Sequence, residues 1–166
     1  LVIMAAKRAR DLVDGKPIFY LVRRSDVVIG SAAEAGTVYC IDCNNVTIKN
    51  LSLKNNSCGI YLFNTTESKV EKNQISANEN GITLISSSRN ELEGNVVKEN
   101  DRGVRLRHSN NNSLVENEAS DNDHEGISLL NSSLNDVAKN RIFDNENGIS
   151  LQSSPQNSVE ENVAVD

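Results

Sequence analysis

From Gly59 onward the apolar positions return in columns. Each of Gly59, Gly81, Gly103, Gly126 and Gly148 opens a line whose second position reads Ile60, Ile82, Val104, Ile127, Ile149 and whose fourth reads Leu62, Leu84, Leu106, Leu129, Leu151. The position between them is mixed and mostly polar: Tyr61, Thr83, Arg105, Ser128, Ser150. Such alternation is the pattern of a strand with one face buried. Two further apolar columns follow: Val70, Leu92, Leu114, Val137, Val159, and then Ile75, Val97, Ala119, Ile142, Ala164. The glycines lie 22, 22, 23 and 22 residues apart. A fixed period of this size predicts a solenoid, with roughly seven coils in the chain. Three short strands per coil make it an all-β, single-stranded parallel β-helix. A leucine-rich repeat has a similar period but needs LxxLxLxxN, with the strand leucines just before the asparagine. Here Leu62 lies 11 residues upstream of Asn73.

Polar columns mark the corners. Asparagine recurs as Asn73, Asn95, Asn117, Asn140, Asn162, as Asn78, Asn100, Asn122, Asn145, and as Asn90, Asn112, Asn135, Asn157 with Ser68 at the head. A hydroxyl column, Thr65, Ser87, Ser109, Ser132, Ser154, ends the first strand. Asparagine tolerates left-handed backbone, so these columns are expected to take the tight corners. Stacked about 4.8 Å apart, each amide is expected to donate to the amide of the next coil, which satisfies polar groups that would otherwise be buried unpaired. One coil alone buries too few aliphatic side chains to offset its ordering, so stability must come from neighbouring coils.

Ahead of the repeat, residues 1–36 read as an N-terminal cap and a first irregular coil, and residues 37–166 as regular coils of one domain. Residues 1–14 contain no proline and only helix-tolerant residues before Gly15, with Ile3, Ala6, Ala9 and Val13 on one face. This predicts a short capping helix, the alternative being a fragment of a further coil. The chain starts at Leu1, and its last coil stops about three residues short of completion. Both suggest a piece of a longer protein. An open sheet edge there would be continued or covered, by end-to-end or lateral self-association among other ways.

Composition narrows the partners. Acidic residues outnumber basic ones, 23 to 17, for a net charge of −6. That argues against a nucleic-acid partner. No apolar run is long enough to span a membrane. The odd set Cys40, Cys43 and Cys58 reads as small core fillers, without the paired spacing of a zinc site.

Three groups of residues offer chemistry. Glu79, Asp101, Asp123 and Glu146 form an acidic column in the turn before each glycine. Hard oxygen ligands stacked in this way would suit Ca²⁺; otherwise the column is a solvated turn ridge. The extra residue of the period falls in Asp121-Asn122-Asp123-His124-Glu125. An insertion on one face of a solenoid is a place where function sits. His124 with Asp123 or Glu125 would serve as an acid–base pair in uronate chemistry, with Arg102 holding the sugar carboxylate; a plain polar bulge is the alternative. Last, the outer face of the first strand carries Tyr61, Phe63, Arg105 and Arg107. Aromatic rings beside arginines suit a polysaccharide with carboxylates, or else a partner protein packs there.

The segments GKPIFYLVRRSDVVI and CNNVTIKNLSLKNN, followed by repeated GI-x-L…N-x-I…N lines, resemble the NosD-type right-handed β-helix repeat proteins. They also resemble the wider pectin-lyase-like group of carbohydrate-binding and sugar-hydrolase domains. The resemblance covers about residues 15–166 and rests on structural positions. It implies a right-handed helix and an extracellular, cell-surface or periplasmic location. The namesake is linked to copper-site maturation, but His108, His124, Met4 and the three cysteines form no evident ligand cluster. The resulting expectation is a non-catalytic, structural module that binds polysaccharide and has no resident cofactor, Ca²⁺ aside. The alternatives are a lyase or epimerase on acidic polysaccharide, and a NosD-like maturation or scaffold factor.

Overall fold

The computed structural model describes residues 12–13 and 15–165. The apolar columns become three sheets that wrap one core. Sheet A is built from Leu12–Val13, Lys16–Val22, Thr37–Ile41, Cys58–Phe63, Asn80–Ile85, Arg102–Arg107, Glu125–Leu130 and Asn147–Gln152, each strand beside the next. Sheet B runs from Val28–Ile29 to Ser158–Glu160, and sheet C from Ser52–Lys54 to Val163–Val165. Every pairing is parallel except that of Leu12–Val13 with Lys16 and Pro17. The register follows the sequence columns: Ile82 lies between Ile60 and Val104, Leu92 between Val70 and Leu114, and Val97 between Ile75 and Ala119. These residues are all buried. The molecule is a β-solenoid of about seven turns.

The glycine column has a packing cause. A Cβ on Gly81 would lie 2.3 Å from Val97 Cγ1 and 2.7 Å from the Gly103 carbonyl oxygen. This corner admits only a hydrogen, and the same is true at Gly59, Gly103 and Gly126; at Gly148, in the last coil, the nearest atoms are 3.6 Å away.

The asparagine ladders form as expected, and they bind backbone as well as side chains. Asn73 donates both its backbone N–H (3.1 Å) and its Nδ2 (2.9 Å) to Asn95 Oδ1. Asn95 Nδ2 in turn donates to Val70 O at 2.8 Å and to Asn117 Oδ1 at 2.9 Å. The hydroxyl column works likewise, Ser87 N–H donating to Ser109 Oγ at 3.1 Å. The backbone role assigned to these asparagines needs correction. The left-handed residues are the ones just before them: Lys72, Ala77, Arg89, Glu99, Glu116, Asp121 and Lys139 all have φ between 53° and 57°. The ladder position is selected for an amide that reaches the adjacent coils. The left-handed position accepts many residue types because its side chain points to solvent.

The first coil is shorter. Phe19 and Leu21 point inward and are buried, and Ser31–Ala33 forms a 3-10 turn where later coils place a sheet C strand. The expected N-terminal helix lies outside the described residues up to residue 11. Its last part is corrected: Leu12–Val13 form a strand, turned back onto Lys16 and Pro17 through Gly15, whose φ is +75°. Among the described residues no helix is long and apolar enough to cross a membrane.

Candidate functional site: the outer face of sheet A

Alternation along each sheet A strand sends every second side chain outward, and the parallel register stacks those side chains in two lanes. One lane reads Tyr20, Tyr39, Tyr61, Thr83, Arg105, Ser128, Ser150. The other reads Val22, Ile41, Phe63, Ile85, Arg107, Leu130, Gln152. Tyr20 and Tyr39 stack with ring centroids 4.7 Å apart and planes 9° from parallel. Tyr61 follows Tyr39 at 5.7 Å but is tilted by 48°. The phenol of Tyr39 is pushed above its usual range, first by burial and then by Cys58 and Tyr20 nearby.

Next along the lanes comes positive charge. Arg102, Arg105 and Arg107 lie on one strand, with Arg105 and Arg107 on its outer face. The Arg105 guanidinium is pushed below its ordinary value, first by burial, then by the like charges of Arg107 and Arg102, with Glu125 opposing. Arg102 Nε contacts Glu125 Oε2 at 3.8 Å. Neither Arg105 nor Arg107 forms a salt bridge among the described residues, and the buried Nε of Arg107 has no hydrogen-bond partner. Several cations elsewhere on the surface pair with acids across coils, as in Lys49–Glu71 (3.7 Å) and Lys69–Glu91 (2.8 Å). An acidic protein has thus concentrated unneutralised guanidinium groups beside aromatic rings. Planar cations so placed suit carboxylates.

The structure brings together the four residues expected to face a ligand, Tyr61, Phe63, Arg105 and Arg107, and adds Tyr20 and Tyr39. Tyr39 is exactly one period before Tyr61, a signal present in the sequence; Tyr20 is hidden by the shorter first coil. Beside Tyr61, a cavity of about 270 Å³ opens over Thr83, walled by Tyr39, Cys58, Ile85 and Arg105 among others. All three cysteines are buried as expected; Cys40 and Cys43 belong to the main core cluster, and Cys58 also lines this cavity, its thiol pushed up to about 11 by burial.

The extra residue lies where the sequence put it, in the turn of Asp123, His124 and Glu125. The ladder bond from Asn100 to Asn122 keeps the 22-residue offset, and the next, Asn122 to Asn145, takes 23. The side chains pair differently from expectation. His124 Nδ1 lies 3.0 Å from Glu146 Oε2 in the following coil, so its partner is Glu146 and neither Asp123 nor Glu125. Arg102 turns to Glu125. The acidic column of Glu79, Asp101, Asp123 and Glu146 is also divided among partners: Ser57 Oγ donates to Glu79 at 2.7 Å, and Glu146 faces His124. Among the described residues no three His, Cys, Asp or Glu side chains converge in a way that would hold a metal ion.

Solved structures with the same fold include a double mutant of the periplasmic alginate epimerase AlgG (24% identity, TM-score 0.68, covering 85% of this chain and 36% of that one). Another is AlgG itself (21%, TM-score 0.63, 86% and 43%). A third is the A-module of the Azotobacter vinelandii mannuronan C-5 epimerase AlgE4 (17%, TM-score 0.56, 84% and 50%). The chain spans half or less of each, and the likeness is one of fold, the right-handed parallel β-helix. No curated protein sequence matches it. A family model described as periplasmic copper-binding protein (NosD) matches residues 15–165. The described residues do not fit a copper site: Cys40 and Cys43 are sealed in the core, Cys58 is apart from them, and His108 and His124 are not part of any three-ligand group. On that match, which takes in all the regular coils, the chain belongs to the NosD family.

Proposed function

We propose that this chain is a non-catalytic β-helix module of the periplasm or cell surface that binds an acidic polysaccharide along the outer face of sheet A. The observation that carries the reading is the tyrosine stack in line with Arg105 and Arg107 two coils beyond Tyr61, two half-buried cations without salt bridges in a chain of net charge −6. Ring faces pack on the apolar face of a sugar, and guanidinium groups take its carboxylate. The neighbouring folds, alginate epimerases by name, support a uronate polymer as the class of ligand. The family's description supports the periplasm.

A second reading is favoured by one contact. His124, held at Nδ1 by Glu146 across 3.0 Å, has its other ring nitrogen available to take the proton next to a uronate carboxylate, as an epimerase or lyase requires.

Calorimetric titration of oligouronates, with and without Ca²⁺, tests both. Heat that saturates and stops is expected of the binding module; heat that continues with added substrate would favour the enzyme. Loss of heat on removing Ca²⁺ would return the acidic column to a role. Absence of heat in every condition would overturn both readings in favour of a scaffold whose partner is a protein.

A further inference from the structure

We infer that the gap over Thr83 is a slot that seats one pyranose ring of a uronate chain and so fixes the register of that chain on sheet A. The inference rests on the proposed polysaccharide binding and names its central subsite.

The slot arises from one short side chain in a lane of long ones. Coils repeat at about 4.8 Å, so the backbone positions of Tyr61 and Arg105 are separated by about two such steps. Where the lane continues with tyrosine, as from Tyr20 to Tyr39, one ring fills one step at 4.7 Å. Thr83 occupies the step between Tyr61 and Arg105 with a two-atom branch. The space a fourth ring would take is left open, about 270 Å³. That is just under the roughly 300–1,000 Å³ of pockets that enclose a whole drug-sized ligand. It suits a single ring of a longer molecule.

The walls specify the ring. Tyr61 is turned 48° from Tyr39, so the stack does not cover its side toward the gap. Arg105 stands opposite, and Ile85 contributes an apolar edge. At the floor, Thr83 is 6% exposed and its Oγ1 has no hydrogen-bond partner. The adjacent Cys58 thiol donates to Ile60 O at 3.2 Å and offers the threonine hydroxyl only its sulfur, a weak acceptor. A hydroxyl shut away from water without a strong partner is uncommon in a finished structure. It is accounted for if a ligand hydroxyl completes it. A uronate unit supplies all three requirements together: an apolar ring face for Tyr61, a hydroxyl for Thr83 Oγ1, and a carboxylate for Arg105 and Arg107. A neutral sugar would leave the cations unmet, and inorganic phosphate would leave Tyr61 unused.

The test fills the slot. Thr83→Tyr places a fourth ring in a lane that already holds three, so the fold is expected to persist with an unchanged melting temperature. Its affinity for a uronate trisaccharide should fall at least about tenfold in calorimetry. Thr83→Val keeps the space, removes the hydroxyl and should cost less than that. In the unmodified protein, free glucuronate should shift the Thr83 γ-methyl resonance. Trisaccharide bound equally well by the wild type and Thr83→Tyr would overturn the slot and leave the binding face standing elsewhere on sheet A. Failure of the wild type to bind any uronate would overturn the face and the slot together. Should Thr83→Tyr not fold, undiminished binding by Thr83→Val with no shift of the Thr83 methyl would overturn the slot.

Discussion

The corners of the solenoid and the outer face of sheet A are made from the same repeat, yet they treat polar groups in opposite ways. Along the corners the same residue returns coil after coil and its hydrogen-bonding capacity is used: Asn95 accepts two bonds from Asn73 and donates to Val70 O and Asn117 Oδ1, and an amide oxygen is left over at the head of a ladder, on Asn56. On the outer face the residue changes from coil to coil, tyrosine to threonine to arginine, and Thr83 Oγ1 and Arg107 Nε have no partners. Repetition marks what the fold requires. Departure from it, with groups left unsatisfied, marks what is held ready for another molecule.

The largest expected effect breaks this contrast at its two ends. Asn95→Ala leaves the Asn73 N–H and one of its two amide hydrogens without an acceptor, and takes a donor from Val70 O, all in the interior. It should cost at least about 3 kcal/mol in urea denaturation. Arg105→Ser, which removes a charge with no salt bridge from the outer face, should stay within about 0.5 kcal/mol of the wild type in the same measurement. Equal losses at both sites would refute the distinction.

A smaller effect separates the ladder from its corner. Glu116 sits at φ 56° one residue before Asn117, in the column where another coil has Gly94 at φ 61°. Because strain resides in that position and not in the asparagine, Glu116→Gly should gain about 0.5 kcal/mol in thermal denaturation, net of the added freedom of the unfolded chain.

The smallest effect concerns acid. The buried ladders carry no charge and are indifferent to it. The exposed surface is not: a hydrogen bond from Asn44, and then the bond and charge of Arg89, hold Glu67 below its ordinary value of 4.5. A carboxyl lowered by folding adds stability above its unfolded value and loses it as the pH falls through the folded one. Melting temperatures measured downward from pH 6 should therefore drop slightly more below about 4.5 for the wild type than for Glu67→Gln.

The sequence made the solenoid legible because each inward aliphatic and each ladder asparagine meets the same environment in every coil, so the constraint is printed at a fixed interval. It carried the outward lanes too: Tyr61, Thr83 and Arg105 can be read one above another, and Arg105 with Arg107 was visible as a basic pair. It did not carry what depends on side-chain direction. The tilt of Tyr61, the turn of His124 to Glu146 and the place of Cys58 at the cavity wall follow from three-dimensional packing between coils. The backbone role assigned to the asparagines failed for a related reason. Left-handed φ leaves no fixed letter where the side chain faces water, so the residue that carries it, here lysine, alanine or glutamate, gives no signal.

The ladder also governs how such a chain can change in length. A coil receives donors from the coil before it and offers donors to the coil after it through the same few atoms, so neighbouring coils are joined by a common plug and socket. The turn of Asp123, His124 and Glu125 accommodates a residue without disturbing that joint, since Asn122 still meets Asn145 at 2.8 Å. Whole coils are in this sense exchangeable cassettes, and the ridge before the glycine is the seam where new sequence can be spliced while the rods on either side remain aligned.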